Sequence, residues 1–238
     1  MSDGPSVVLT ERYAKAFDQA RLLHAADARK GTTIPYLVHP MTVSAIVLSY
    51  GGDEDQAIAA LLHDVVEDAG GRDQLRLIRA EFGDEVAAIV EALSDSFEVD
   101  PTNKPPWWER KVGYIDRLAS GEEPPKAYLV CAADKLANIL DTRRERAELG
   151  VERWGIFRLG KTDWRKGRSS QLWFYDAIFE ALGAHLVDPQ GAALMKRLTG
   201  ELEGMRADIV ADPREDATAA NLAADLDEAR KQAQAVRR

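Results

Sequence analysis

Four groups able to bind a metal ion or move a proton stand close together in the stretch LLHDVVEDAG at 61–70. His63 and Asp64 are adjacent, and Glu67 and Asp68 follow within about one helical turn. At about 100° per residue these four side chains fall within one arc of a helix. The opposite arc is apolar and is expected to face a core: Ile58, Leu61, Leu62, Val65 and Val66. The polar arc is therefore either hydrated surface or a site.

Two residues elsewhere in the chain favour a site. His39 stands in PYLVHP, just before a predicted helix, and Asp134 lies among apolar residues in VCAADKLANIL. A carboxylate in such surroundings is costly to bury unless it is paired or metal-bound. Asp134, Asn138 and Asp141 also share one arc of their helix, opposite an apolar face. Two imidazoles and two carboxylates would suit Mn²⁺ or another borderline divalent ion.

Each residue taken alone has a simpler structural explanation. A histidine such as His39 is more often packed or capping, and an acidic pair such as Glu67 and Asp68 is usually solvated helix surface. Asp134 can also be satisfied by backbone N–H groups. Only the joint occurrence favours a metal site. His24 and His185 have no comparable neighbours in the sequence, so they are assigned no role.

Composition narrows the class of protein. The 238 residues carry a net charge of −9, which disfavours a nucleic-acid binder but leaves room for a local cationic pocket. The single cysteine, Cys131, excludes an internal disulfide. No apolar run is long enough to span a bilayer, and the start MSDGPSVVLTER lacks a signal-peptide pattern. A cytoplasmic protein without a membrane partner is expected.

Apolar periodicity predicts an all-α chain, since no alternating segment is long enough for a strand. Thr10 is expected to cap a helix reaching about Ala28, Pro40 to begin a second, and Asp53 to cap the one carrying 61–70. Further helices are predicted in WWERKVGYIDRLAS, in KAYLVCAADKLANILDTRRERAELG and after LGAHLVDPQG. We divide the chain into a domain over 8–187 and a helical extension over 188–238.

The tail and one short motif each allow two interpretations. The stripe Leu222, Leu226, Ala229 and Ala233 indicates a surface helix that can fray, or else a docking or self-association helix, which leaves a homo-oligomer open. GIFRLGKT at 155–162 fits the phosphate-loop pattern G-x-x-x-x-G-K-[ST]. The preceding RERAELGVERW does not read as a strand, and the loop interior is bulky, so this motif is disfavoured.

The residues together resemble the HD-domain phosphohydrolases, and within them the Rel/SpoT-type and small stand-alone alarmone hydrolases. The resemblance extends from about Tyr13 to Ala181, and its motifs follow the order of the family. They are RKG at 29–31, PYLVHP at 35–40, LLHDVVED at 61–68, FGDEVAAIVEALSD at 82–95 and ADKLAN at 133–138. The resemblance implies an HD-domain helical bundle with additional C-terminal helices.

The resemblance also implies roles for matching residues. The metal ligands, usually for Mn²⁺, would be His39, His63, Asp64 and Asp134. Glu67 and Asp68 match the acidic pair that activates or orients the attacking water. Arg29 and Lys30 match basic residues at the nucleotide, and Asn138 matches a side chain lining that pocket. The implied reaction removes the 3′-pyrophosphate of guanosine tetra- or pentaphosphate.

Two departures from the family pattern leave alternatives open. Ala69 stands where the family often has threonine, and Leu140 where alarmone hydrolases often have arginine. Arg143 and Arg144, one turn on, offer a substitute for that arginine. The substrate can therefore be another phosphorylated nucleotide. A third possibility is a metal-binding regulatory or antitoxin-like protein that binds without turnover.

Overall fold

The structure is a computed structural model that describes residues 7–100, 102–157, 159 and 163–238. For Asp68 and Ala69 it describes the backbone alone. The described residues are helical nearly throughout, which confirms the all-α prediction, and their only β-type pairing is one antiparallel bridge between Ala28 and Pro35. None of the described helices combines the length and apolar character that crossing a bilayer requires.

The chain forms two compact units. Unit 1 comprises residues 1–104 and 123–134, and unit 2 comprises 105–122 and 135–238. The helices of unit 1 are α1 (Glu11–Leu23), α2 (Val38–Ser49), α3 (Glu54–Leu62), α4 (Val65–Ala69), α5 (Gly71–Phe82) and α6 (Asp84–Leu93). A further helix, α8 (Pro125–Leu149), begins in unit 1 and continues in unit 2. The division at 187/188 stays a prediction.

Helix α3 lies at the centre of unit 1, where it packs against α1, α2 and α6. Its start matches the prediction: the Asp53 side chain accepts from the Gln56 backbone N–H, and Gln56 returns a hydrogen bond to the Asp53 N–H. Such a capping box satisfies amide groups that have no partner within the helix. The Gln56 side chain also donates to the Lys126 carbonyl at 3.0 Å, which ties α3 to the first turn of α8.

The first helix is shorter than predicted. Thr10 caps it as expected, accepting from the Arg12 N–H, but α1 ends at Leu23 rather than near Ala28. The following residues instead close a tight loop, in which the Tyr36 N–H donates to the Asp27 carbonyl and the Arg29 N–H donates to the Ile34 carbonyl, each at 2.9 Å. Backbone groups engaged in this loop cannot also continue the helix.

The stretch 61–70 is not one continuous helix. Helix α3 ends at Leu62 and α4 begins at Val65, so His63 and Asp64 lie at the junction between two helices. The predicted apolar arc is nevertheless correct, because all of its members are buried: Ile58, Leu61, Leu62, Val65 and Val66. The break therefore leaves the buried apolar face intact and places His63 and Asp64 between the two helices.

Unit 2 contains α7 (Trp107–Ser120), the rest of α8, α9 (Glu152–Gly155), α10 (Trp164–Gly183), α11 (Pro189–Ala211), a 3₁₀ turn (Pro213–Glu215) and α12 (Ala219–Val236). Helix α12 packs against α10 and α7. Its predicted stripe is buried, so the tail docks within its own unit: Leu222, Leu226, Ala229 and Ala233.

The phosphate-loop motif at 155–162 follows helices rather than a strand. Helices α8 and α9 precede it, and Gly155 is the last residue of α9. Its residues Arg158, Gly160, Lys161 and Thr162 lie outside the described part of the chain. A phosphate loop connects a buried strand to a helix. In the described part of the chain a helix stands where that strand would be required.

Candidate metal centre

Three structural elements of unit 1 bring the predicted ligands together. His39 lies in the first turn of α2, His63 and Asp64 form the α3–α4 junction, and Asp134 lies within α8. His39, His63 and Asp134 are buried, whereas Asp64 keeps 24% of its side chain exposed. The centre is therefore dry on the histidine side and open to solvent at Asp64.

The donor atoms of these residues face one another. His39, His63 and Asp134 each offer one ligand atom, and these atoms all lie within 4.8 Å of one another. The His39 Nε2 lies 3.1 Å from Asp134 Oδ1 and 3.6 Å from Asp64 Oδ2. The His63 Nε2 lies 3.1 Å from Asp64 Oδ2 and 3.7 Å from Asp134 Oδ1. Each imidazole thus faces both carboxylates.

This donor set fits a divalent cation. Ligands about 2.1 Å from one ion stand roughly 3.0 Å apart at right angles and about 3.4 Å apart in a tetrahedron. Two of the four nitrogen–oxygen distances, at 3.1 Å, lie within this range, and the other two, at 3.6 and 3.7 Å, lie just above it. His63 Nδ1 lies 2.8 Å from the Ala60 carbonyl, which fixes its proton there and leaves Nε2 as the ligand atom. With the proton on Nδ1, the buried Nε2 has no proton to donate to the carboxylate oxygens that face it, so its lone pair is left for a cation. A nitrogen held in this way is suited to coordination.

The electrostatics also favour a positive charge at the centre. Burial of the His63 ring opposes its protonation, but the carboxylates of Asp64 and Asp134 outweigh this and raise the His63 pKa well above its ordinary value. Burial would raise the Asp64 pKa, yet His63 and His39 lower it below its ordinary value. The buried carboxylates thus attract either a proton on His63 or a metal cation, and the two compete.

Of the predicted catalytic pair, the structure describes the side chain of Glu67 only. Its side-chain Oε1 accepts a hydrogen bond from the Asp95 backbone N–H at 2.7 Å, and its backbone carbonyl accepts one from Lys104 Nζ at 3.1 Å. The segment after α6 therefore holds Glu67 at two points. The Asp68 side chain lies outside the described atoms, so its role stays a prediction.

The predicted nucleotide-binding residues lie in different settings. Arg29 is half-buried in the loop after α1, with its guanidinium carbon 5.7 Å from the Tyr36 ring centroid, and Lys30 is exposed beside it. Asn138 is half-buried one helical turn beyond Asp134 on α8. Their roles stay predictions.

Two residues at the centre were not singled out from the sequence. Tyr36 donates its hydroxyl hydrogen to Asp64 Oδ2. His24, to which the sequence assigned no role, is buried with its ring centroid 4.6 Å from that of Tyr36. The position of Tyr36 was a usable signal, because it lies three residues before His39 in the motif PYLVHP. His24 gave no such signal, since its importance comes from a tertiary contact.

Comparison with known proteins gives one match to a protein family and several to individual proteins. The profile of the family described as HD domain matches residues 16–157, which is more than half of the chain. A solved structure of a metazoan ortholog of SpoT, described as hydrolysing ppGpp, aligns with a TM-score of 0.63 at 23% identity. That alignment covers 83% of this chain and 97% of the other, and it shows a shared fold.

Two curated relatives are named as guanosine-3′,5′-bis(diphosphate) 3′-pyrophosphohydrolases. The guanosine-3′,5′-bis(diphosphate) 3′-pyrophosphohydrolase of Aquifex aeolicus is 30% identical over 129 residues, 54% of this chain and 17% of that protein. The pyrophosphohydrolase MESH1 of Xenopus tropicalis is 39% identical over 115 residues, 46% of this chain and 57% of that protein. The chain thus spans less than two thirds of the length of each of these relatives.

Proposed function

The chain belongs to the HD domain family, and on that premise we propose that it is a metal-dependent phosphohydrolase that removes the 3′-pyrophosphate of guanosine tetra- and pentaphosphate. The proposal rests on one observation: two imidazole nitrogens and two carboxylate oxygens face one another at distances of 3.1–3.7 Å. The names of the relatives from Aquifex aeolicus and Xenopus tropicalis support the choice of substrate.

The proposed metal ligands are His39, His63, Asp64 and Asp134, and the proposed ion is Mn²⁺, which accepts mixed nitrogen and oxygen ligands. Such an ion, when bound, lowers the pKa of a coordinated water from about 15.7 towards neutrality and polarises a phosphoryl oxygen. The chain itself must then orient the water, accept its proton and neutralise the phosphates.

We assign the proton-accepting role to Glu67, with Asp68 beside it in sequence. The Asp95 N–H holds the Glu67 carboxylate in one orientation, as a positioned general base requires. Attack of water on the 3′-linked phosphorus would break the bond between that phosphorus and the 3′ oxygen. The products would be pyrophosphate and guanosine 5′-diphosphate or 5′-triphosphate, whose 3′ oxygen takes up a proton. No redox partner enters this balance, since water is the only co-reactant.

The loop after α1 supplies cationic charge for the phosphates. Arg29 and Lys30 are adjacent in this loop, and the Ala28–Pro35 bridge fixes its two ends. A guanidinium bonds phosphate oxygens in a fixed fork, whereas an ammonium acts as a point charge. We assign both residues to the substrate phosphates, and Asn138 to the same pocket, as the family resemblance implies.

The test is to incubate the purified chain with Mn²⁺ and a panel of nucleotides that includes guanosine tetraphosphate, and to identify the products by chromatography. Pyrophosphate together with guanosine diphosphate is expected from the tetraphosphate. The variant Asp64→Asn should lose this activity. Its matched control is Asp73→Asn, which removes the charge of an exposed aspartate on α5 and should leave turnover unchanged.

Other outcomes distinguish the alternatives. Pyrophosphate or phosphate release from a different nucleotide alone would overturn the substrate and keep the metal-dependent reaction. Binding of Mn²⁺ and nucleotide without any product would overturn the enzyme and favour a regulatory or antitoxin-like protein.

A further inference from the structure

Tyr36 connects the metal centre to the loop that carries Arg29. Its hydroxyl donates to Asp64 Oδ2, the carboxylate oxygen that faces both imidazoles. Its ring meets three other side chains: the His24 ring at 4.6 Å between centroids, the His39 ring edge-on at 6.0 Å, and the Arg29 guanidinium at 5.7 Å. The tyrosine ring is thus held from several directions while its hydroxyl reaches Asp64.

His24 is buried and is held by a neighbouring carboxylate. Its side chain is 1% exposed, and its Nδ1 lies 3.0 Å from Asp27 Oδ2. Its Nε2 is buried without a hydrogen-bond partner. A buried imidazole nitrogen in that state is unfavourable, so an apolar side chain would be the more stable choice if His24 only filled space. The bond to Asp27 instead fixes the plane of the ring against Tyr36.

We propose that Tyr36, held in place by His24, is a positioning residue that orients the Asp64 carboxylate for metal binding. The inference rests on the proposed function only in taking Asp64 as a ligand. A carboxylate on a short side chain rotates between several orientations, and a hydrogen bond from a fixed donor selects one of them before the ion arrives. Partners of this kind typically contribute about 10- to 100-fold to metal affinity.

Tyr36 is suited to this role because its hydroxyl donates directly to Asp64 Oδ2, the oxygen nearest both imidazoles. Its hydroxyl is neutral, so it orients the carboxylate without cancelling the charge that attracts a cation. The loop that carries Tyr36 is closed by backbone hydrogen bonds from Tyr36 to Asp27 and from Arg29 to Ile34. The donor is therefore fixed at its backbone as well as at its ring.

The first experiment measures Mn²⁺ binding to the metal-free full chain by calorimetry, with no nucleotide present. Tyr36→Phe removes the hydroxyl and keeps the ring, and we expect its Kd for Mn²⁺ to rise about 10- to 100-fold. The matched control is Tyr13→Phe, which removes a hydroxyl hydrogen-bonded to Ser44 Oγ at 3.0 Å elsewhere in unit 1. Its Kd should stay within about twofold of wild type, which separates positioning from general stability.

The second experiment tests whether His24 acts through Tyr36. His24→Ala should weaken Mn²⁺ binding in the wild-type background, and it should add less than about twofold in the Tyr36→Phe background, because the hydroxyl to be positioned is already gone. Full additivity of the two substitutions would overturn the role of His24. Thermal unfolding of each metal-free variant verifies folding, and Tyr36→Phe alone decides the main claim if His24→Ala does not fold.

The result that overturns the proposal is a Tyr36→Phe chain whose Kd for Mn²⁺ stays within about twofold of wild type. Because the titration contains no substrate, this outcome is independent of whether the chain turns over guanosine tetraphosphate. Conversely, a chain that binds Mn²⁺ more weakly after Tyr36→Phe but hydrolyses no nucleotide would support the positioning role and refute the proposed reaction.

Discussion

Asp134 is the most deeply buried carboxylate of the metal centre, with 8% of its side chain exposed. Its Oδ1 lies 3.1 Å from the His39 Nε2 and 3.7 Å from the His63 Nε2. A carboxylate in this position requires a positive charge nearby, because the cost of removing it from water otherwise exceeds the gain. At the scale of single residues, the centre thus behaves as a preformed cation site.

The first prediction concerns Asp134→Asn, which keeps the shape of the side chain and removes its charge. We expect Mn²⁺ affinity to fall by more than the roughly 10- to 100-fold attributable to a supporting residue. In the wild type, Mn²⁺ at 100 times its Kd should stabilise the fold by about 2.7 kcal/mol. That corresponds to a Tm increase of about 5 to 10 °C for a chain of this size.

Thermal unfolding with and without Mn²⁺ measures this effect. The Asp134→Asn variant should show no Mn²⁺-dependent increase in Tm at the concentration that shifts the wild type, while Asp73→Asn should shift fully. An unchanged increase in Asp134→Asn would remove Asp134 from the set of ligands.

The residues proposed as metal ligands could be picked out from the sequence because their types are rare in their surroundings. A mid-helix aspartate among apolar residues and an adjacent His–Asp pair are visible without coordinates. Tyr36 and His24 were not visible as a pair, since a ring contact between residues twelve positions apart depends on how the loop after α1 closes. Helical periodicity carries no information about that closure.

Among the helices, α3 shows how strongly one cap can position a site. Its N-cap Asp53 is 43% exposed at the side chain and also lies 2.6 Å from Lys126 Nζ, while Lys126 Nζ lies 2.9 Å from Glu85 Oε1. The other end of α3 is His63. The cap thus fixes where the helix begins, and its length then determines where the histidine falls.

The second prediction is that the charge of Asp53 contributes stability that depends on pH. Partial burial raises the Asp53 pKa, but Lys126 and the Gln56 backbone N–H outweigh this and lower the pKa below its ordinary value of 3.8. Because the folded-state pKa is the lower one, the contribution is fully present above the unfolded-state value and is lost as pH falls through the folded-state value.

Urea unfolding of wild type and Asp53→Asn at a series of pH values tests this. Asparagine caps helices about as well as aspartate, so the difference isolates the charge. We expect wild type to be the more stable chain at pH 7, and the difference to shrink as the pH falls below about 4. A difference that persists unchanged at pH 2 would contradict the assignment. Asp53→Ala should lose about 1 kcal/mol more through the missing cap.

The third prediction concerns the start of α5, where Gly71 has a φ of +56°. A Cβ there would stand 2.5 Å from the Phe97 carbonyl oxygen, in the segment whose Asp95 N–H holds Glu67. Gly71→Ala is therefore expected to cost about 1–3 kcal/mol and to lower kcat by displacing that segment. Unfolding experiments and steady-state kinetics measure both effects.

Gly83→Ala is the matched control for Gly71→Ala. Gly83 also has a positive φ, +93°, but a Cβ there would meet no atom within 4 Å. We expect it to lose stability through backbone strain while keeping kcat. Equal kcat values in the two variants would show that the segment after α6 does not control Glu67.

The ends of helices could be predicted where the sequence contains a recognisable capping residue, and not elsewhere. Thr10 and Asp53 begin helices as predicted, and both use a side-chain oxygen as acceptor. The end of α1 at Leu23 and the break at His63–Asp64 were not predicted. Both depend on tertiary structure. The end of α1 depends on the hydrogen bonds of the loop that follows, and the break depends on the packing of α3 and α4 at the metal centre.

At the scale of the molecule, unit 2 is built around a buried carboxylate in the 3₁₀ turn between α11 and α12. Glu215 is completely buried, and it accepts from Trp154 Nε1 at 2.9 Å. It also lies 3.3 Å from Arg146 Nη1 and 3.4 Å from Arg168 Nη1. One residue of the turn thus joins α8, α9 and α10. No pattern in the sequence indicated this role, because Glu215 lies in a charged stretch that resembles solvated surface.

The fourth prediction is that Glu215→Ala strongly destabilises the chain, because it leaves two buried guanidinium groups without one partner. Each arginine keeps another carboxylate, Asp212 for Arg146 and Asp225 for Arg168, so we expect the lower end of the usual range, about 3 kcal/mol. Denaturant unfolding measures the loss. Glu203→Ala, an exposed glutamate on α11, is the control and should change stability by less than about 0.5 kcal/mol.

The bridge between Ala28 and Pro35 separates a part of the loop that can vary in sequence from a part whose position must be kept. Residues 30–33 lie on its far side and can change identity or number while the bridge stays in place, so Tyr36 and His39 keep their positions. Substitutions in this short span are therefore expected to alter the phosphate recognition that we propose for the loop and to leave the proposed metal ligands in place. Insertions at these positions should be tolerated by metal binding, whereas a single deletion between Pro35 and His39 should abolish it.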